Sequence, residues 1–260
     1  MDVERVPVEV RTRAPTGRTA CYVVGSEEAL LVDPAAEDDR IASTLDRVAH
    51  VAVTHHHSDH VGAVAAYARR AGATVWCRAG RAEAFESVTG VAADRHFREG
   101  TAIETGDGAV IVRETPGHAR EHVAFETPTG LIAGDLAVAT GSVVVGPPDG
   151  DMRAYLTSLR RVWAMAPERL YPAHGPVVAD VRATCERLID HRLQRERRVL
   201  EAVHGGARTV EELLEAAYDK DLTGLEDLAG ATVRAHLAKL DYEGRVDWDG
   251  ATTRPPVVVD

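Results

Sequence analysis

The chain has 260 residues, 45% of them hydrophobic, and a formal net charge of -11, which fits a globular protein with a sizeable core and no apolar run of membrane-spanning length. Its start, Met1-Asp2-Val3-Glu4-Arg5, does not resemble a secretion signal, and Cys21, Cys77 and Cys185 are scattered without metal-ligand spacing, so a reduced cytoplasm is the simplest home. Nearly all basic residues are Arg, with Lys only at Lys220 and Lys239, and an acidic surface repels nucleic-acid phosphates at long range.

In chain order, His50-Val51-Ala52-Val53-Thr54 predicts a short buried strand, and the apolar stretch from Val61 to Ala68 predicts a helix. Between them, Thr54-His55-His56-His57-Ser58-Asp59-His60 puts five potential ligands into one stretch, in the HxHxDH order of two-metal hydrolases. His55 and His57 are two residues apart, so in an extended segment leaving a strand their rings project to one side and can share a metal. Asp59 and His60 lie where the chain turns into a helix and can serve a second ion, while His56 points away. A histidine run can also be a tag or a solvated loop, but this one is internal, interrupted by Asp and framed by regular elements. A strand end feeding a helix start is where α/β folds place their chemistry.

Two ions need more ligands than one loop offers, because each zinc takes about four and a catalytic site keeps one position open. Three later segments share a design of strand, tight turn and ligand. The strand Ala109 to Val112 runs through Pro116-Gly117 to His118; Leu131-Ile132-Ala133-Gly134 presents Asp135; Leu170-Tyr171-Pro172-Ala173 presents His174. Singly each reads as an ordinary turn. Together with the histidine stretch they complete a ligand set.

Beyond His174 the pattern turns helical. Val181 to Val203 is heavily charged, with Arg192, Arg195, Arg197 and Arg198 forming either a solvated face or a clamp for an anionic substrate. Thr209-Val210-Glu211-Glu212 reads as a capping box, and Ala231 to Leu240 predicts a third helix with Val233, Leu237 and Leu240 on one face. Gly244 to Trp248 reads as a short β-element. Length and this change of character divide the chain into a catalytic unit, 1–180, and a small helical unit, 181–260.

The ligand motifs resemble those of the metallo-β-lactamase superfamily over residues 18 to 176, with Leu31-Val32-Asp33-Pro34 resembling its first motif. The resemblance implies an α/β fold, an αββα sandwich, followed by a small C-terminal winged-helix-like domain. It assigns His55, His57 and His118 to one metal, Asp59, His60 and His174 to the other, Asp135 to a bridge between them, and Asp33 to orienting ligands. Two Zn²⁺ ions per chain are expected, with iron or manganese as alternatives. Zinc β-lactamases proper lack the carboxylate that Asp135 supplies, which argues against antibiotic hydrolysis. The tail, with Ile189-Asp190-His191-Arg192 and the loop Gly141 to Pro148, is similar to the β-lactamase-like protein 2 group, whose members cleave single-stranded RNA, while fungal relatives act as thioesterases. Two positions depart from the relatives' pattern: Ala119 follows His118 where Thr or Ser is common, and Gly62-Ala63 stands in place of Gly-Gly.

The expected function is a dinuclear hydrolase that uses a metal-bound hydroxide on an ester or thioester, Asp59 both ligating and steering the nucleophile. The alternatives are a single-stranded RNA endonuclease and a non-catalytic metal-binding, DNA-binding regulator. The third helix offers only Arg234, His236 and Lys239 amid Glu226, Asp227, Asp241 and Glu243, which disfavours DNA. A small-molecule substrate is expected and no membrane partner; RNA and a homodimer stay open.

Overall fold

The computed structural model describes residues 1–219 and 221–256; Lys220 and residues 257–260 of the expected 181–260 unit lie outside the described residues. Two sheets form the centre. The first takes β1 (Val3–Glu9), β2 (Arg18–Val24), β3 (Ala29–Val32), β4 (Val48–Ala52), β5 (Thr74–Arg78) and β6 (Arg95–Phe97) in sequence order. β1 to β3 pair antiparallel and β3 to β6 parallel, the parallel part interleaved with α1 (Asp39–Ala42), α2 (Ser58–Val61), α3 (Val64–Ala71) and α4 (Ala82–Thr89). The second sheet has the order β11-β10-β9-β8-β7, from β7 (Ala102–Thr105), β8 (Gly108–Glu114), β9 (Val123–Thr127), β10 (Gly130–Gly134) and β11 (Leu170–Pro172). β10 and β11 are parallel, so a crossover must join them, and α5 (Met152–Met165) lies in that connection.

Strand alternation builds the layers. In β2, Ala20, Tyr22 and Val24 point into the core between the sheets, while Cys21 and Val23 point outward to a second cluster with Ile41, Val64, Tyr67 and Phe85. In the other sheet Val123, Phe125 and Ile132 face inward, and Ala124, Leu131 and Ala133 pack against Tyr155, Leu156 and Leu159 of α5. Each sheet is thus apolar on both faces and covered by helices outside, the αββα arrangement expected.

The chain then continues through α6 (Val181–His204), α7 (Val210–Ala217) and α8 (Glu226–Tyr242) to a hairpin of β12 (Asp247–Trp248) and β13 (Thr253–Arg254). Thr209 and Glu212 close the expected capping box at the start of α7. Val233, Leu237 and Leu240 share a cluster with Val199, Val203, Leu213 and Val246, whereas Ala235, elsewhere on the same helix, joins the cluster under α5. No helix among the described residues is long and apolar enough to cross a membrane.

Two expectations need correction. The helix anticipated over 61–68 is two helices, α2 and α3, because the Ala63 amide leaves the helical ladder to donate to the Pro34 carbonyl at 2.8 Å. The break lets α2 end beside the β3 loop. The arginines of α6 are also only in part a solvated face: Arg197 and Arg198 are exposed, but Arg192 is 3% exposed, and Arg195 donates to the Ala217 carbonyl and stacks 3.4 Å over the Tyr218 ring.

Candidate metal centre

The site begins where β3 ends. Asp33 takes a left-handed backbone with φ 50°, a conformation Asp tolerates better than most residues, and its carboxylate is fully buried. It accepts from the Thr54 amide at 2.6 Å, from the Thr54 hydroxyl at 2.8 Å and from His60 Nδ1 at 3.0 Å. Three donors on one buried carboxylate fix the start of the histidine stretch and the plane of the His60 ring.

Acceptors around the other rings decide their tautomers. His118 Nδ1 lies 2.7 Å from the Val144 carbonyl and His174 Nδ1 2.8 Å from the Arg18 carbonyl, so each Nδ1 carries a proton and each neutral ring keeps its Nε2 lone pair. The Thr54 hydroxyl spends its proton on Asp33 and accepts from His55 Nδ1 at 3.1 Å, leaving His55 Nε2 bare as well. His55 Nε2 and His118 Nε2 then stand 3.0 and 2.9 Å from His57 Nδ1. Imidazole nitrogens gathered this closely suit a shared cation.

Two further groups overlap the first. The ligand atoms of His55, His60 and Asp135 lie within 4.8 Å of one another, as do those of Asp59, His60 and His174. All seven expected ligands are therefore brought together. His60 Nε2 and Asp135 Oδ1 are buried, 3.7 Å apart, and neither makes a hydrogen bond. Buried polar atoms are rarely left so, and a divalent ion is the partner that nitrogen and carboxylate oxygen would both accept.

Charge is tuned in opposite directions across the cluster. Burial, then the neighbouring rings, pushes His55 and His57 down, so both stay neutral. Burial opposes charging His60, yet the Asp33, Asp135 and Asp59 carboxylates together outweigh it and lift the ring to about 9. Burial likewise resists ionising Asp135, but the His174, His60 and His118 rings hold its carboxyl well below the usual carboxylate range.

His56, left out by the sequence, is indeed elsewhere: its amide donates to Glu121 at 3.3 Å and its ring packs on Phe85. Sequence reasoning missed His122. It is fully buried, its Nε2 accepts the Asp135 amide at 3.0 Å, and its Nδ1 reaches Thr115 Oγ1 at 2.9 Å. Burial pushes it down to about 3, so it stays neutral and serves as an acceptor holding the Asp135 backbone. Gly134 explains the small residue beside that ligand: a Cβ there would lie 2.6 Å from Thr54 Oγ1 and 2.7 Å from His122 Nε2.

Comparison with known proteins agrees with this architecture. Residues 14–174 match the family model of the metallo-beta-lactamase superfamily. A beta-lactamase-like protein 2 homolog of Drosophila melanogaster is 29% identical over 248 residues, covering 88% of this chain and 84% of that protein. An atrochrysone carboxyl ACP thioesterase of Aspergillus fumigatus is 26% identical over 226 residues, covering 78% and 69%. The crystal structure of a metallo-beta-lactamase family protein from Thermus thermophilus has the same fold, with a TM-score of 0.76 at 24% identity over 97% of this chain and 98% of that one. With the family model spanning more than half of its length, the chain belongs to the metallo-beta-lactamase superfamily and is a metal-dependent hydrolase of it.

Proposed function

We propose that the protein is a dinuclear hydrolase of an ester or thioester. His55, His57 and His118 hold one divalent ion, Asp59, His60 and His174 the second, and Asp135 lies between them. Residues 1–180 form the catalytic domain, and 181–260 a winged-helix-like domain that packs rather than reads nucleic acid. The observation that carries the reading is the overlap of three ligand groups through His55, His60 and Asp135, with His60 Nε2 and Asp135 Oδ1 buried and unbonded. Zinc suits this nitrogen and oxygen set, and iron and manganese are the alternatives.

When bound, such ions bring a coordinated water's pKa to about 7 and polarise the substrate carbonyl. The chain's own groups do the rest. Asp33, through Thr54 and His60, and the carbonyls of Val144 and Arg18 keep the ring nitrogens aimed inward. Asp59, whose carboxylate is 3.7 Å from His174 Nε2 and 16% exposed, would both ligate the ion and steer the nucleophile. No thiol competes as nucleophile, since burial pushes Cys21 and Cys185 up to about 12 and Cys77 up to about 11.

The thioester preference draws support from the thioesterase relative and from the charges of α8. His236 is buried against Glu196, and Lys239 is ion-paired to Glu196 and Glu243, so that helix offers little to a phosphate backbone. The test pairs thiol release from acyl-thioesters with cleavage of single-stranded RNA, with Asp59→Ala as control. Thiol release lost in the control and in chelator is expected. Less than one metal ion per chain, with activity indifferent to chelator, would overturn the reading.

A further inference from the structure

The carbonyl that orients His118 belongs to residues 139–151, a strap between β10 and α5 whose fastening the hydrolase reading does not explain. Arginines of α6 grip it. Arg187 donates to the carbonyls of Val138 at 2.7 Å, Ala139 at 3.2 Å and Gly141 at 2.8 Å. Further along α6, Arg192 donates from Nη2 to the Val143 carbonyl, one residue before the Val144 carbonyl that takes the His118 proton. From another side α8 presses on the strap, where a Cβ on Gly146 would lie 2.4 Å from the Ala231 carbonyl.

Arg192 reaches the site by a second route. Its guanidinium lies 5.4 Å from the Tyr155 ring centroid, and the Tyr155 hydroxyl donates at 2.9 Å to the carbonyl of Leu136, next to Asp135. The residue is 3% exposed, its Nε makes no hydrogen bond, and it joins no ion pair among the described residues. Burying a guanidinium without a carboxylate is costly, and an apolar side chain would serve helix packing better. What an apolar residue cannot do is donate to the strap while bracing a tyrosine with a planar cation.

We propose that Arg192 is a positioning residue of the metal centre, tying α6 to the His118 side of the site through the Val143–Val144 segment and to the Asp135 side through Tyr155. The inference rests on the reading of His118 and Asp135 as ligands. It gives the C-terminal helices a function in the chemistry: they set ligand geometry from outside the sandwich.

The test loads the full chain with Zn²⁺ and, separately, with Co²⁺, and compares Arg192→Met with Arg195→Met. Arg195 sits on the same helix but contacts Ala217 and Tyr218 instead of the strap. Arg192→Met should weaken Zn²⁺ binding by about 10- to 100-fold, the usual effect of losing an outer partner, and shift the visible Co²⁺ spectrum, while Arg195→Met binds like the parent. In the metal-free protein, the Gly150 and Asp151 amides, bonded at 2.8 Å to the Gly146 and Gly117 carbonyls, should exchange faster in Arg192→Met alone. Should the methionine variant fail to fold, Arg192→Lys, which keeps charge but not the planar fork, is expected to show an intermediate loss. A folded variant with parental affinity, spectrum and exchange overturns this inference alone; a parent chain that takes up no divalent ion overturns the hydrolase reading and this inference together.

Discussion

Two buried polar clusters in this molecule set histidine against a carboxylate to opposite ends. Between α6 and α8, both oxygens of Glu196 are taken from within, by Lys239 at 2.7 Å and His236 at 3.3 Å. At the strand ends, Asp135 Oδ1 stands 3.3 Å from His174 Nε2 and 3.7 Å from His60 Nε2 without hydrogen-bonding either. The first cluster satisfies its carboxylate from two helices and holds them together, although His236 Nε2 stays buried and unbonded. The second directs its hydrogen bonds outward, to carbonyls and to Asp33, and leaves lone pairs converging inside. The direction in which the outer bonds point, rather than residue type or burial, separates a structural cluster from a candidate centre.

The contrast can be broken by experiment, beginning with its largest effect. His118→Ala should bring hydrolysis to background and weaken metal binding beyond the roughly 100-fold that outer partners account for, while barely changing metal-free stability. Retained affinity by competition with a chromophoric chelator would show that the inward lone pairs are idle. Glu196→Ala should do the reverse. Lys239 and His236 lose their shared carboxylate, which costs about 3 kcal/mol in urea unfolding, with metal affinity unchanged. An affinity change there would mean that the two clusters are not separate in energy.

Smaller effects sharpen the comparison. Thr209→Ala removes one half of the capping box of α7 and should cost about 1 kcal/mol, confined to stability. The mildest is a slope with pH. Burial pushes His236 and His122 down, so the folded chain keeps them neutral, whereas the unfolded chain protonates them near the ordinary value of 6.5. The unfolded state therefore binds more protons below that value, and the metal-free protein should lose stability as pH falls from about 6.5. His60, lifted to about 9, opposes this slope mainly above 6.5, so unfolding midpoints that stay flat between pH 6.5 and 5.5 would contradict it.

Much of the candidate centre is legible in the sequence because its candidate ligands sit in local patterns. The His55 to His60 order and the strand-turn endings at His118, Asp135 and His174 are readable within a few residues of each ligand. Their outer partners are not. The carbonyls of Arg18 and Val144 carry no residue-type signature, and His122 looks like any histidine entering an apolar strand until its ring is found beneath the Asp135 amide. The helix break at Ala63 depends on a carbonyl from a loop some thirty residues earlier. Arg192 escapes sequence reading because a charged helical run resembles a solvated face unless the element covering it is known. Local pattern reveals what binds; only the fold reveals what orients.

The bond from His174 to the Arg18 carbonyl spans 156 residues and joins the start of β2 to the end of β11. A chain still being synthesised, with His174 not yet emerged, presents the His55 to His60 segment without the groups that aim the far side. Unlike a zinc finger, whose short loop closes around its ion and folds with it, this site is assembled only when both sheets have met. The group of Asp59, His60 and His174 is therefore complete only once the second sheet's last strand is in place.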